Sequence, residues 1–170
     1  GCAGGTYDNI SVAANVLKGK SVGCGSFSLS IYPGSQPTNL ALVKNGSVAS
    51  LIESGAVVKP CFCGPCFGAG DVPCNNGFSI RHTTRNFERR EGSKLSDNQI
   101  ASVALMDARS IAATAVNGGV LTSAFDVDFE ENFLPFEYDN KAYSSRVFNG
   151  FGKADASIEL VYGSNITDIP

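Results

Sequence analysis

Thiols are the side chains of this chain with the most chemistry in them. Its six cysteines are Cys2, Cys24, Cys61, Cys63, Cys66 and Cys74, and four of them crowd into the stretch from Cys61 to Cys74. The run Cys61-Phe62-Cys63-Gly64-Pro65-Cys66 is the sharpest motif. Thiols this close suit soft metals, iron–sulfur clusters or dithiol redox chemistry. Three readings stand side by side. Cys63-Gly64-Pro65-Cys66 has the spacing of a thioredoxin-like dithiol. That chemistry needs a helix starting at the first cysteine to lower its pKa, and Phe67-Gly68-Ala69-Gly70-Asp71-Val72-Pro73 is a poor helix. Structural zinc needs two short-spaced ligand pairs, and Cys74 with His82 makes no standard second pair. An iron–sulfur cluster needs a distant third cysteine. Cys2 is the attractive one, in a glycine-rich turn, Gly1-Cys2-Ala3-Gly4-Gly5, just ahead of a helix. Taken by itself, Cys2 reads as a small buried residue near a chain end.

Arginines form the second constellation. Residues 81–94 carry Arg81, Arg85, Arg89, Arg90 and Lys94 against Glu88 and Glu91. Guanidinium forks grip carboxylates in bidentate fashion, so Arg85 and Arg90 on one loop suit a di- or tricarboxylate. The plain alternative is a solvated loop whose arginines make surface ion pairs.

These residues need elements to position them. The spacing of Ile10, Ala13, Ala14 and Leu17 predicts a helix over 6–18, with Thr6 or Asp8 as cap and Gly19 as stop. Alternation of Phe27, Leu29 and Ile31 with Ser28 and Ser30 predicts a strand over 27–32, turned by Pro33-Gly34-Ser35. Short helices are expected over 39–45 and 48–54, and a short strand at 56–58. Residues 60–77 are too rich in proline, glycine and cysteine for regular structure. Strands follow at 78–81 and 102–106, then a helix over 108–117 capped by Asp107 and stopped by Gly118-Gly119. Beyond 124 aromatics fall without period, and 158–162 reads as a last strand. Strands alternating with helices predict an α/β fold, a three-layer α/β/α arrangement with a mainly parallel sheet. Residues 1–123 are then one α/β unit, with 124–170 an aromatic-rich extension packed on it. Ser35, the Cys63/Cys66 pair and Arg85 each follow a predicted strand, and Cys2 precedes a helix. All then line the carboxyl edge of one sheet, where α/β folds bind ligands.

Bulk composition excludes other classes. The chain has 170 residues, is 43% hydrophobic and 17% charged, and carries a net charge of −3. That length and apolar content suit one folded domain rather than a disordered chain. The acidic balance argues against a dedicated nucleic-acid binder. No run approaches the roughly 18 apolar residues of a membrane span, so no membrane partner is expected. No secretion signal is seen, and clustered thiols point to a reducing, cytoplasmic setting. The chain opens Gly1-Cys2 with Met106 as its only methionine, which reads as a domain of a longer protein or a processed end.

The order of these motifs resembles the aconitase superfamily of iron–sulfur hydro-lyases, which includes aconitase, homoaconitase and the isopropylmalate isomerase large subunit. Gly1-Cys2-Ala3-Gly4-Gly5 is similar to that family's Gly-Ser-Cys-Thr-Asn turn, and Pro33-Gly34-Ser35 to its Pro-Gly-Ser loop. Cys63-Gly64-Pro65-Cys66-Phe67-Gly68 is similar to Cys-Gly-Pro-Cys-Ile-Gly, and Thr84-Arg85-Asn86-Phe87-Glu88-Arg89-Arg90 to Asn-Arg-Asn-Phe-Glu-Gly-Arg. Val161-Tyr162-Gly163-Ser164-Asn165-Ile166 resembles a segment leading to the family's swivel domain. The resemblance implies the third domain of a longer enzyme, with Cys2, Cys63 and Cys66 holding a [4Fe–4S] cluster that this domain alone need not retain. It implies Arg85 and Arg90, and Ser35 beside them, as binding residues for a hydroxy-carboxylic acid. It places the catalytic base and acid on missing domains of the parent enzyme, so this chain holds no catalytic residue and is expected to be inactive alone. Three departures bear on the substrate: Ala3-Gly4 stands for Thr-Asn, Thr84 for Asn, and Arg89 for Gly. Other classes remain in view: a thioredoxin-like dithiol, a zinc module, or a non-catalytic RNA-binding relative.

Overall fold

The computed structural model of this chain describes residues 1–83, 87–89, 97–132, 134–159 and 161–166. Helix α1 spans Tyr7–Leu17. Thr6 caps it by accepting a hydrogen bond from the Asn9 amide, and Gly19, at a φ of +70°, lets the chain leave in the left-handed region. Tyr7, Ile10, Ser11, Val12, Ala13, Ala14, Val16 and Leu17 are all buried, so α1 is enclosed on most of its circumference.

Strand β1 is Ser30–Ile31, helix α2 is Gln36–Lys44, helix α3 is Ser47–Glu53 and strand β2 is Val57–Val58. Ser35 caps α2, and Pro37 sits in its first turn, where a missing N–H costs nothing. Strands β1 and β2 pair in parallel, Ser30 opposite Val57 and Ile31 opposite Val58. Helices α2 and α3 form the crossover that a parallel pair requires. The expected strand over 27–32 shrinks to two residues because its partner offers only two, yet its alternation holds. Leu29 is buried, and Phe27 and Ile31 pack on the core.

Strand β3 is Gly77–Arg81 and strand β4 is Ala101–Leu105, again parallel, from Gly77 opposite Ala101 to Arg81 opposite Leu105. Helix α4, Ala108–Val116, follows and packs on α1. Ala13 and Ala14 of α1, with Ala112 and Ala115 of α4, are small enough to let the two helices approach closely. Leu17, Leu42 and Leu51 anchor the core at 0% exposure, each contributing roughly 1.5–3 kcal/mol of burial. The fold is α/β, and among the described residues both strand pairs are parallel and form two two-stranded units rather than one continuous ladder.

Among the described residues from 124 onward there is little regular structure: a 3₁₀ turn at Ala124–Asp126 and a one-turn helix α5 at Lys141–Ser144. The expected strand at 158–162 is not formed by its described residues. Without a partner edge, Ile158 and Val161 lie exposed. The segment touches the body at a few places. Asn15 donates to the Asn132 carbonyl at 2.9 Å, Lys44 pairs with Asp139 at 2.5 Å, and Phe136 lies against Tyr7 with ring centroids 5.3 Å apart.

Candidate functional site

The Gly1–Gly5 turn is wedged between the ends of the two strand pairs. The Gly1 nitrogen donates to the Tyr32 carbonyl at 2.7 Å, directly after β1. The Gly5 amide donates to the Gly1 carbonyl at 2.7 Å, and the Gly34 amide to the Gly5 carbonyl at 2.7 Å. These bonds lock the turn to the Pro33-Gly34-Ser35 loop. On its other flank the turn meets His82, the residue after β3. A Cβ on Gly4 would overlap the His82 carbonyl and stand 2.8 Å from its Cβ, and a Cβ on Gly5 would overlap the Tyr32 carbonyl. Only glycine permits so close an approach of backbone to backbone.

Cys2 is therefore held at this junction, and it is exposed. Its reading as a buried end residue fails. Cys63 and Cys66 arrive on the loop that follows β2. Cys63 precedes a four-residue 3₁₀ turn, Gly64–Phe67, closed by Gly68 at a φ of +77°. The Cys66 sulfur lies 3.5 Å from the point where Gly1 would carry a Cβ. Burial pushes the Cys61 thiol up. Cys24 and Cys74 are exposed, and all six cysteines are free thiols.

Two of the alternative chemistries lose support here. The dithiol reading needs a helix whose first turn faces Cys63, and a single 3₁₀ turn supplies little dipole. For the zinc reading, no group of three or more His, Cys, Asp or Glu among the described residues is arranged to hold a metal ion. A polynuclear cluster asks for something different, since each cysteine binds its own iron and the sulfurs stand farther apart than around one ion. Soft thiol donors on two loops that meet at one backbone turn fit such a group.

Ser35 lies in the loop bonded to the Cys2 turn, but its hydroxyl is engaged as a helix cap. It accepts from the Thr38 amide at 3.3 Å and donates to the Thr38 hydroxyl at 3.0 Å. Arg85 and Arg90 lie outside the described residues. Arg89, between them in sequence, is exposed at a φ of +58° and stands 3.6 Å from Glu88.

Sequence reasoning missed the polar group that joins the two strand pairs. Tyr32 donates its hydroxyl to Asp71 Oδ2 at 2.6 Å. Ser30 also hydrogen-bonds the Asp71 carboxylate, and Lys59 and Arg81 lie near it. Arg81 donates through Nη2 to the Asp71 carbonyl and through Nε to Ser79 Oγ at 2.8 Å. Burial pushes the Asp71 carboxyl up, but these hydrogen bonds and cations together outweigh it and hold it below its ordinary value. One signal was available. Asp71 is the only charged residue between Lys59 and Arg81. His82, weighed in the sequence only as a zinc ligand, flanks the Cys2 turn. Its Nδ1 is buried and without a hydrogen-bond partner among the described residues. A groove of about 660 Å³ lies elsewhere, between Tyr7, Lys44 and residues 134–140, and no cysteine lines it.

Parallel strand pairs with thiols and a glycine turn gathered at their carboxyl ends define an α/β protein with a thiol-bearing edge. The profile of the aconitase family (aconitate hydratase) matches residues 1–113, and the chain belongs to that family. The 3-isopropylmalate dehydratase large subunit of Clostridioides difficile (strain 630) is 34% identical over 120 residues, 70% of this chain and 27% of that subunit. Its counterpart in Clostridium kluyveri is 36% identical over 120 residues, with the same coverage of 70% and 27%. The probable methanogen homoaconitase large subunit of Methanosarcina mazei is 37% identical over 92 residues, 54% of this chain and 23% of that subunit. The chain thus spans about a quarter of the length of these curated relatives. None of its described helices is long and apolar enough to cross a membrane.

Proposed function

We propose that this chain is the cluster-holding, substrate-binding domain of a [4Fe–4S] hydro-lyase that reversibly dehydrates and hydrates a hydroxy-di- or tricarboxylic acid. Residues 1–123 form the ligand-bearing unit, and 124–170 its extension toward the rest of a cytoplasmic parent enzyme. The observation that supports this reading is the meeting of the Cys2 turn with the Cys63/Cys66 loop, where Cys66 Sγ approaches Gly1. Cys2, Cys63 and Cys66 would hold the cluster through three thiolates. When bound, a cube with one iron free of cysteine supplies a Lewis acid for a departing hydroxide. The chain's own part is to bind and orient. Arg85 and Arg90 grip the substrate carboxylates through charge-assisted bonds worth roughly 1.5–3 kcal/mol each. Ser35 keeps the Pro33-Gly34 loop against the Cys2 turn by capping α2. The proton-transfer groups belong to the rest of the parent, so the chain alone turns over no hydroxyacid.

The test is iron, sulfide and zinc content after anaerobic reconstitution, for the wild type and Cys63→Ser, in this chain and in its parent. The expected result is iron and sulfide in near-equal amounts in the parent, lost in Cys63→Ser. Zinc in their place, or a parent that takes up no iron, overturns the reading.

A further inference from the structure

Tyr32 makes two bonds in two directions. Its carbonyl accepts from the Gly1 nitrogen at 2.7 Å, and its hydroxyl donates to Asp71 at 2.6 Å. The first bond belongs to the turn that carries Cys2. The second belongs to the segment that carries Cys63 and Cys66, five residues ahead of Asp71. Asp71 is itself held from both strand pairs, by Ser30 of β1 at its carboxylate and by Arg81, at the end of β3, at its carbonyl. The two loops share no regular ladder with each other. Tyr32 bridges them directly, and the Cys66 sulfur lies 3.5 Å from the point where Gly1 would carry a Cβ.

We propose that Tyr32 is a positioning strut that couples the two thiol-bearing loops, through its carbonyl to the Cys2 turn and through its hydroxyl and Asp71 to the Cys63/Cys66 loop. As a device for placing cluster ligands it rests on the reading above; as a coupling between loops it stands on the hydrogen bonds alone. A rigid aromatic ring fixes the distance between its backbone and its hydroxyl. Two loops tied to its two ends move together. Removing the hydroxyl leaves the ring packed and cuts one tie, so the fold survives while the coupling is lost.

Hydrogen exchange on the full 170-residue chain tests this, with Tyr32→Phe, Asp71→Asn and the double variant beside the wild type. Exchange is expected to quicken about tenfold in both the 1–6 and the 61–74 peptides for either single variant, the worth of one hydrogen bond to a charged group. The double variant adds nothing, because both changes cut the same tie. Quickening confined to 61–74, or effects that add, overturns the strut. Loss of cluster absorbance under chelator supplies a readout that a purely structural role would not move. It quickens in both variants while the unfolding midpoint of the metal-free chain stays put. Coupled exchange in a chain whose parent takes up no iron supports the strut and sinks the cluster reading. Iron uptake with uncoupled loops overturns the strut alone.

Discussion

Gly5→Ala is the substitution this structure penalises most clearly. Gly5 is buried and needs no unusual φ, so the cost is steric and not conformational. The added methyl overlaps the Tyr32 and Gly1 carbonyl oxygens and comes within 2.9 Å of the Gly34 nitrogen. All three are backbone atoms, which cannot rotate away as a side chain would. Making room means parting the turn from the 32–34 loop. Overpacking of this kind costs roughly 1–3 kcal/mol. Three hydrogen bonds of 2.7 Å run between these atoms: Gly1 to Tyr32, Gly5 to Gly1, and Gly34 to Gly5. Losing even two of them adds about 0.5–1.5 kcal/mol each. The expected loss is therefore about 2–6 kcal/mol, a large share of the 5–15 kcal/mol typical of a domain. Gly25→Ala is the matched control, because no atom lies within 4 Å of its Cβ position and its φ is not positive. It should be neutral or slightly stabilising. Urea unfolding followed by circular dichroism measures both, with the midpoint shift read at constant slope. A Gly5→Ala loss below about 1 kcal/mol, or a loss equal to that of Gly25→Ala, would refute the packing argument.

Two further outcomes follow from titrating groups. Asp107 caps α4, accepting from the Arg109 amide at 2.9 Å and the Ser110 amide at 3.1 Å. Burial pushes its carboxyl up, but bonds from the Ser110 hydroxyl and the Ser110 and Arg109 amides hold it below 3.8. The stabilisation is thus present above pH 3.8 and fades as the pH falls through the folded value. Asp107→Ala should cost about 1 kcal/mol at neutral pH, with the gap to wild type closing in acid; a gap that persists unchanged in acid counts against the cap. Tyr32 is raised from 10.0 to about 12, chiefly by burial and then by the bond and charge of Asp71. Its proton is held more tightly in the folded state, so this stabilisation is present below pH 10.0 and lost as the pH rises through about 12. Tyrosinate absorbance should show one late-titrating tyrosine, moved earlier by Asp71→Asn; no change on that substitution would break the pairing.

Much of the framework was legible along the chain because its causes are local. Thr6 and Asp107 are caps in the structure as their residue types foretell, and Gly19 ends α1, whereas the helix expected over 39–45 starts three residues earlier, at Gln36, capped by Ser35. The predicted helix over 108–117 and strand over 78–81 lie within a residue or two of α4 and β3. Strand length was not legible. The alternation over 27–32 says which side faces the core, but only the partner decides how many residues pair, and β2 offers two. The aromatics after 124 divide with no signal in their spacing: Phe129 packs on the core and Phe136 on Tyr7, while Phe125 and Phe151 are 99% and 97% exposed. An apolar residue without period carries no instruction about which surface it meets.

The site divides the same way. Cysteine spacing and the glycine turn are properties of short segments, so the sequence by itself singled out Cys2, Cys63 and Cys66 and the chemistry of soft ligands. That Cys66 comes to rest on Gly1, sixty-five residues away, was decided by the fold. So was the choice of Tyr32 and Asp71 as the pair between the loops, because a hydrogen bond across thirty-nine residues depends on where two strand ends stop and not on what flanks either residue. Local preference needs only neighbours along the chain, whereas contact between distant segments exists only once the core has set the strand ends side by side.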